Sequence, residues 1–198
     1  MSNELQIDAY DEHVVIFGQS GTGKSTLLKY LLKNISQAKP VWLWDYNGEH
    51  DVFPYANGIS QLRKSSLVFR PQEGTEEEFN QFCTIAFEIP NLTVAVEEVQ
   101  EYANKFRFPT PLARIVRVGR RKGITYIAVS QRPAEVHNAI ISNSHHRFVF
   151  RLDLPPDIIY LKKWLQCDEE TIKNLPNYCF YYYSPKYQIS KVFQPIQL

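Results

Sequence analysis

Short apolar runs alternate with amphipathic stretches along the whole chain. "HVVIFG" (13–18) is continuously apolar and closes on glycine, the pattern of a strand covered on both faces. "KSTLLKYLLKNI" follows, with leucines at 27, 28, 31 and 32 on one face of a predicted helix. "VWLWD" (41–45) and "SLVF" (66–69) read as further strands. "TEEEFNQFCTIAFEI" opens with Thr75 and Glu78 at capping-box spacing, which predicts a helix start. "LTVAVEE" (92–98) reads as a strand and "VQEYA" as a short helix. Thr110 and Pro111 suit the N-cap and first turn of a helix running to about Arg121. Then come "ITYIAVS" (124–130), a helix near "AEVHNAIIS", strand "RFVFR", a helix after Pro156, and a hairpin-like pair, "YCFYYYS" and "YQISKVF", around Pro185.

Strands alternating with helices predict an α/β domain with a mostly parallel sheet flanked by helices, its antiparallel C-terminal pair extending one edge. With no linker, repeat or low-complexity segment, residues 1–198 read as a single domain. In the C-terminal pair, the tyrosines at 181–183 fit an edge strand better than a stacking platform, because alternate side chains would face the core.

One loop carries a specific chemistry. Gly18, Gln19, Ser20, Gly21, Thr22, Gly23, Lys24, Ser25 and Thr26 spell G-x-x-x-x-G-K-[ST] between a strand and a helix. The glycines let backbone amides approach phosphates, and the new helix offers unpaired N–H groups to an anion. Lys24 is expected at the β- and γ-phosphates, and Ser25 at Mg²⁺. The loop therefore predicts a nucleotide phosphate site.

Glu97 and Glu98 end the strand of "LTVAVEEVQEY", and ligands of doubly wound sheets sit beyond strand carboxyl ends. Neighbouring side chains point in different directions there, so the two acids can divide the work. Glu97 is expected to hold the metal and Glu98 to polarise the attacking water. By themselves, two acids would merely charge a helix start. "NKFR" (104–107) lacks the aspartate of a guanine-reading N-K-x-D motif, so the base reading favours ATP over GTP.

On a helical wheel of ~100° per residue, Arg114, Arg117, Arg120 and Arg121 share an arc of about 120°. Leu112, Ile115, Val116 and Val118 fill most of the other side. Three readings stay open for this cationic face: a solvated surface, contact with DNA phosphates, or an arginine finger completing a neighbour's site.

Composition narrows the setting. Charged residues are 22% of the chain and net charge is +1, so nucleic acid would meet a local patch or an encircling oligomer, not a uniformly basic body. Cys83, Cys167 and Cys179 are not at metal-ligand spacing and read as small core residues in a reducing compartment. The polar, acidic "MSNELQIDAYDEH" lacks a secretion-signal pattern, and apolar runs stay short of the ~18 residues that cross a bilayer.

"GRRKGITYIAVSQRP" resembles the FtsK–HerA superfamily of DNA-pumping ATPases, whose members typically show G-R-x-x-G, an apolar strand, then [ST]-Q-R-P. "VEEVQEY", "WLWDYNGEHD" and "NLPNYCFYYYS" resemble its acidic, second-strand and closing-strand motifs, in the family's order across nearly the whole chain. The resemblance implies a RecA-like P-loop domain binding ATP and Mg²⁺. It places Gln131 as a polar sensor on the strand between the phosphate and acid strands. It assigns Arg120 as the trans-acting finger, with Arg121 and Arg117 as near alternatives, in a homo-oligomeric ring, a hexamer.

The brevity of the chain is similar to the genome-packaging branch of tailless icosahedral viruses with an internal membrane, the turreted icosahedral viruses of Sulfolobus among them. That branch implies double-stranded DNA as cargo, docking to a capsid or internal-membrane protein at a packaging vertex, and a place in the host cytoplasm or on the virion. Two rivals remain: a nucleotide-switched assembly protein, and a cellular HerA-like translocase. "ANKFRFPTP" (103–111) reads either as a DNA-tracking loop, through Lys105, Phe106, Arg107 and Phe108, or as a loop pinned by buried aromatics. Asp45 and Glu49 are expected near the nucleotide, unless Asp45 only ends its strand. His145, His146 and Arg147 read as surface or interface residues.

Overall fold

The computed structural model describes residues 11–196. In chain order the elements are β1 (Val14–Phe17), α1 (Lys24–Ile35), β2 (Val41–Trp44), β3 (Tyr55–Ala56), β4 (Leu67–Phe69), α2 (Glu76–Glu88), β5 (Thr93–Val96) and α3 (Thr110–Val118). These are followed by β6 (Thr125–Ser130), α4 (Asn138–Ser142), β7 (His146–Phe150), α5 (Pro155–Lys162), α6 (Glu169–Lys173), β8 (Phe180–Ser184) and β9 (Ile189–Phe193).

The strands form one nine-stranded sheet in the order β3-β4-β2-β5-β6-β1-β7-β8-β9. All pairings from β3 to β7 are parallel, and β8 and β9 add antiparallel. The predicted class is therefore observed, and β6 lies between the acid strand β5 and the phosphate strand β1.

Alternation along each strand divides the core into two layers. Val14 and Ile16 of β1, with Val41 and Leu43 of β2, pack under the buried leucines of α1. Val15, Phe17, Trp42 and Trp44 point the other way, toward α2, α3 and α4. Each large apolar side chain so buried contributes about 2–3 kcal/mol before chain entropy is charged against it. Trp44 stacks on Phe69 and meets Phe79 and Tyr102 edge-on, which fixes β2, the neighbour of the acid strand, against α2.

The start of α2 departs slightly from the predicted capping box. Thr75 accepts the Glu78 amide at 3.3 Å. The Glu78 carboxylate reaches further back, accepting from the amides of Gln72, Glu73 and Gly74.

The arginine helix ends earlier than its wheel suggested. α3 stops at Val118, and Gly119–Lys122 continue as a 3₁₀ turn. Arg120 and Arg121 thus leave the face of Arg114 and Arg117, and Val118 is exposed rather than packed. The tight turn changes the angular step, so the 3.6-residue wheel no longer applies. Arg114 and Arg117 instead lie over the rings of Phe87 and Phe108. β3 and α6 were not legible because each spans only a few residues; their contacts, not their own periodicity, define them.

His146 and Arg147 are buried at the start of β7, a correction to their reading as surface residues. β7 is covered on both sides by β1 and β8, so its first residues have little access to water. The three tyrosines of β8 are also buried; β9, mostly exposed, takes the edge position.

His13, just before β1, carries a testable pH dependence. Its ring stacks on Tyr126, and Nδ1 accepts the Tyr126 amide at 3.2 Å. Burial first, then the nearby His145 and Arg120, lower its pKa to about 3. The unfolded chain binds this proton near pH 6.5, so stability is complete above that value and falls as pH drops toward 3. The loss is expected to approach about 1.4 kcal/mol per pH unit from this imidazole alone. Urea unfolding at pH 7.5 and 5 should show that slope, and His13→Gln should flatten it; an unchanged slope would remove His13 as the cause.

Candidate nucleotide site

The loop after β1 is shaped by glycine at two points. Gly18 has φ +154°, and a Cβ there would lie 2.6 Å from Cβ of Phe150. Gly23, the N-cap of α1, has φ +108°, in the region L side chains resist. The Gln19 carbonyl ties the loop together, accepting from Thr22 Oγ1 at 2.7 Å and Lys24 Nζ at 2.9 Å.

Above the loop is a cleft of about 410 Å³. Ser20, Gly21, Gly23, Lys24, Ser25 and Thr26 line it, whereas Gly18, Gln19 and Thr22 brace the loop from behind. Glu97, Glu98 and Gln131 line its other side, so the structure brings together the phosphate loop, both acids and the amide. Burial lowers the Lys24 pKa, while Glu98, Glu97 and Glu49 oppose that shift.

The two acids do point apart, for a reason in the backbone. Glu98 sits in the left-handed region at φ 46° as the N-cap of the 3₁₀ turn Val99–Glu101. A non-glycine residue held there costs about 1–3 kcal/mol and persists only where the surrounding structure holds it. Two amides meet its carboxylate. Gln131 Nε2 donates to Glu98 Oε1 at 2.7 Å, and Gln100 Nε2 donates to Oε2 at 2.7 Å.

Glu97 is 5% exposed and faces His50, whose Nε2 lies 2.7 Å from Oε1. Burial opposes a charge on His50, but the Glu97 carboxylate outweighs it and holds the imidazole pKa above its usual value. Glu97 Oε2 is buried without a hydrogen-bond partner. An orphaned carboxylate oxygen and the Ser25 hydroxyl, lining one cleft, are donors that suit a hard divalent cation, so these residues fit Mg²⁺.

Asp45 does not reach the cleft. It is fully buried, and accepts from the amides of Glu49 and His50 at 3.1 and 3.0 Å and from Arg70 at 3.4 Å. It shapes the loop that delivers Glu49 to the cleft wall. Asp45, His50 and Glu97 each offer a ligand atom within 4.8 Å of the others, but both Asp45 oxygens are already engaged.

Sequence reasoning missed His50, Gln100 and Tyr178. Tyr178 lines both the phosphate cleft and an adjoining apolar pocket formed with Phe150, Phe180, Pro195 and Ile196. Its place beside Gly23 depends on β8 returning next to β7, which no local pattern announces.

Arg120 and Arg121 are not in this cleft. They precede β6, at the end of the sheet opposite the phosphate loop, and β6 alone spans six residues, about 20 Å. Arg120 Nη1 lies 2.9 Å from Nε2 of His145, while Arg121 makes no ion pair among the described residues.

A glycine-rich loop between a parallel strand and a helix, facing acids on the next strand but one, defines a P-loop nucleotide-binding protein. Residues 3–148 match the family described as DUF87, "Helicase HerA, central domain", and the chain belongs to that family. Protein P9 of Pseudoalteromonas phage PM2 is 24% identical over 180 residues, covering 83% of this chain and 80% of P9. The genome packaging NTPase B204 of Sulfolobus turreted icosahedral virus 2, in complex with ATPγS, superposes with a TM-score of 0.85 at 19% identity. That match covers 94% of this chain and 98% of B204. B204 of Sulfolobus turreted icosahedral virus, described as its DNA-packaging ATPase, gives 0.76 at 22% identity over 94% of this chain and 98% of that one.

Proposed function

We propose that the chain is an ATP hydrolase that works as a ring of identical subunits to drive double-stranded DNA into a viral procapsid. The observation that carries this reading is the Glu98 carboxylate, hydrogen-bonded to Gln131, facing Lys24 across one cleft. Family membership and the likeness to viral packaging NTPases support the class of cargo.

Each residue has a definite task. The loop amides and Lys24 hold the phosphates, and the first turn of α1 favours their charge. Ser25 and Glu97 would hold Mg²⁺, which when bound neutralises charge on the phosphate oxygens. Glu98 accepts a proton from, and so orients, the attacking water. Gln131 reports the state of the γ-phosphate: its amide donates to Glu98 while its carbonyl remains for another partner. Tyr178 and the apolar pocket beside Thr26 suit a nucleobase.

Arg120 lies at the far end of its own sheet, and in this reading it would complete the cleft of an adjacent subunit. Docking to a capsid or internal-membrane protein, and a location in the host cytoplasm or on the virion, belong to the same reading. Among the described residues no helix is long and apolar enough to cross a membrane.

ATP hydrolysis measured with and without linear duplex DNA, across protein concentrations, tests this. DNA is expected to raise the rate, and the rate to rise faster than linearly with protein. Hydrolysis indifferent to DNA would favour a nucleotide-switched assembly protein instead.

A further inference from the structure

The loop that follows Glu98 ends in an unusual tip. Phe106 is 97% exposed and touches no other ring, and Lys105 beside it makes no ion pair among the described residues. Arg107 is different. Its guanidinium donates to the carbonyls of Tyr102 and Glu101 and pairs with Glu76 at 2.6 Å. It pins the base of the loop, so of the residues read as tracking DNA only Lys105 and Phe106 are free to do so. Phe108 stacks on His137 and anchors the other side.

This tip is stitched to both segments that hold Glu98. The Ala103 amide bonds to the Val99 carbonyl at 2.8 Å, joining the loop to the turn that carries Gln100. The Lys105 amide bonds to Glu135, and the His137 amide to Ala103, joining it to the chain just after Gln131. The tip is therefore tied by backbone hydrogen bonds to a turn that begins at the left-handed Glu98 backbone.

Gln100 is the contact most easily given up. Its Nε2 caps Glu98 Oε2, but its own Oε1 is buried without a hydrogen-bond partner. With an amide on each oxygen, the carboxylate has fewer lone pairs to offer water.

We propose that Gln100 is a positioning residue that restrains the Glu98 carboxylate, and that duplex DNA seated on Lys105 and Phe106 releases this restraint. The inference rests on the translocase reading above. Lys105 would meet a phosphate and Phe106 a sugar edge or base step, the division of labour that cation–aromatic tips use on duplexes.

The test is ATP hydrolysis by the full chain, with and without duplex DNA, for Gln100→Leu, Phe106→Ala and the double variant. Leucine removes both the donor and the unpaired acceptor, so it is compatible with the buried position. Gln100→Leu is expected to raise the DNA-free rate by about 3-fold or more and to bring the stimulation ratio toward one. Phe106→Ala is expected to cut the stimulation ratio at least ~5-fold, and the double variant to keep the raised DNA-free rate. Phe106→Trp should restore stimulation and report DNA through its fluorescence.

If Gln100→Leu lowers both rates, Gln100 supports Glu98 and the proposal falls. It also falls if Phe106→Ala breaks the oligomer by sedimentation, which would make the tip a subunit contact. If wild type ignores DNA while Gln100→Leu still raises the rate, the translocase reading fails but the restraint stands.

Discussion

Glu98→Gln is expected to slow ATP hydrolysis by about 10²–10⁴-fold with nucleotide affinity nearly unchanged, the usual worth of a positioned general base. That loss corresponds to roughly 3–5 kcal/mol of barrier. The substitution keeps shape but removes the charge that draws a proton from water; its new amide N–H can be met by the Gln100 Oε1 that otherwise lacks a partner. Lys24 and the loop amides are untouched, so binding survives. The left-handed backbone at residue 98 is strained for either side chain, so the substitution adds no backbone strain that would cause a folding defect. Steady-state hydrolysis and binding of a fluorescent ATP analogue check the two halves separately. A variant that retains more than about a tenth of the rate would move the base elsewhere in the cleft.

Arg120→Ala is expected to cost about 10³-fold or more, the scale of a finger that stabilises charge on the transferred phosphoryl group. The expected loss arises entirely at the neighbour's site, because Arg120 is on the far end of its own sheet. Among the described residues its partner is the imidazole of His145, not a carboxylate. Burial and the Arg120 charge both lower the His145 pKa, so the ring stays neutral and leaves the guanidinium charge uncompensated.

Mixing separates this from a structural effect. Glu98→Gln subunits carry an intact Arg120, and Arg120→Ala subunits an intact Glu98. Some interfaces of a mixed ring then join a working base to a working finger, and activity is expected to return. No recovery on mixing, with both variants assembled, would overturn the trans assignment. Arg121→Ala serves as the neighbouring comparison, since Arg121 is also exposed on the same 3₁₀ turn.

Most strands were readable because parallel strands covered on both faces become continuous apolar words, as in "VVIF" and "TYIAVS". The phosphate loop was readable because its chemistry is local: nine consecutive residues make the anion site from their own backbone. Glu97 and Glu98 gained meaning only beside that loop, and the sheet order brings them to the wall of the same cleft. The helical wheel failed at Val118 because a change from α to 3₁₀ depends on the turn into β6, not on apolar spacing.

What the sequence by itself determined was the α/β class, the phosphate loop and the order of its motifs, since each is written in contiguous residues. Tertiary structure alone decided that His50 meets Glu97, that Gln100 and Gln131 share Glu98, and that Tyr178 flanks Gly23. It also decided that Arg120 lies at the end of the sheet opposite its own phosphate loop. With the exception of the Gln100 contact, these relations join residues far apart in the chain, and they exist only once burial of two apolar layers has fixed the strand order. The Gln100 contact is local in sequence, but it depends on the left-handed turn at Glu98, which the packed sheet holds in place.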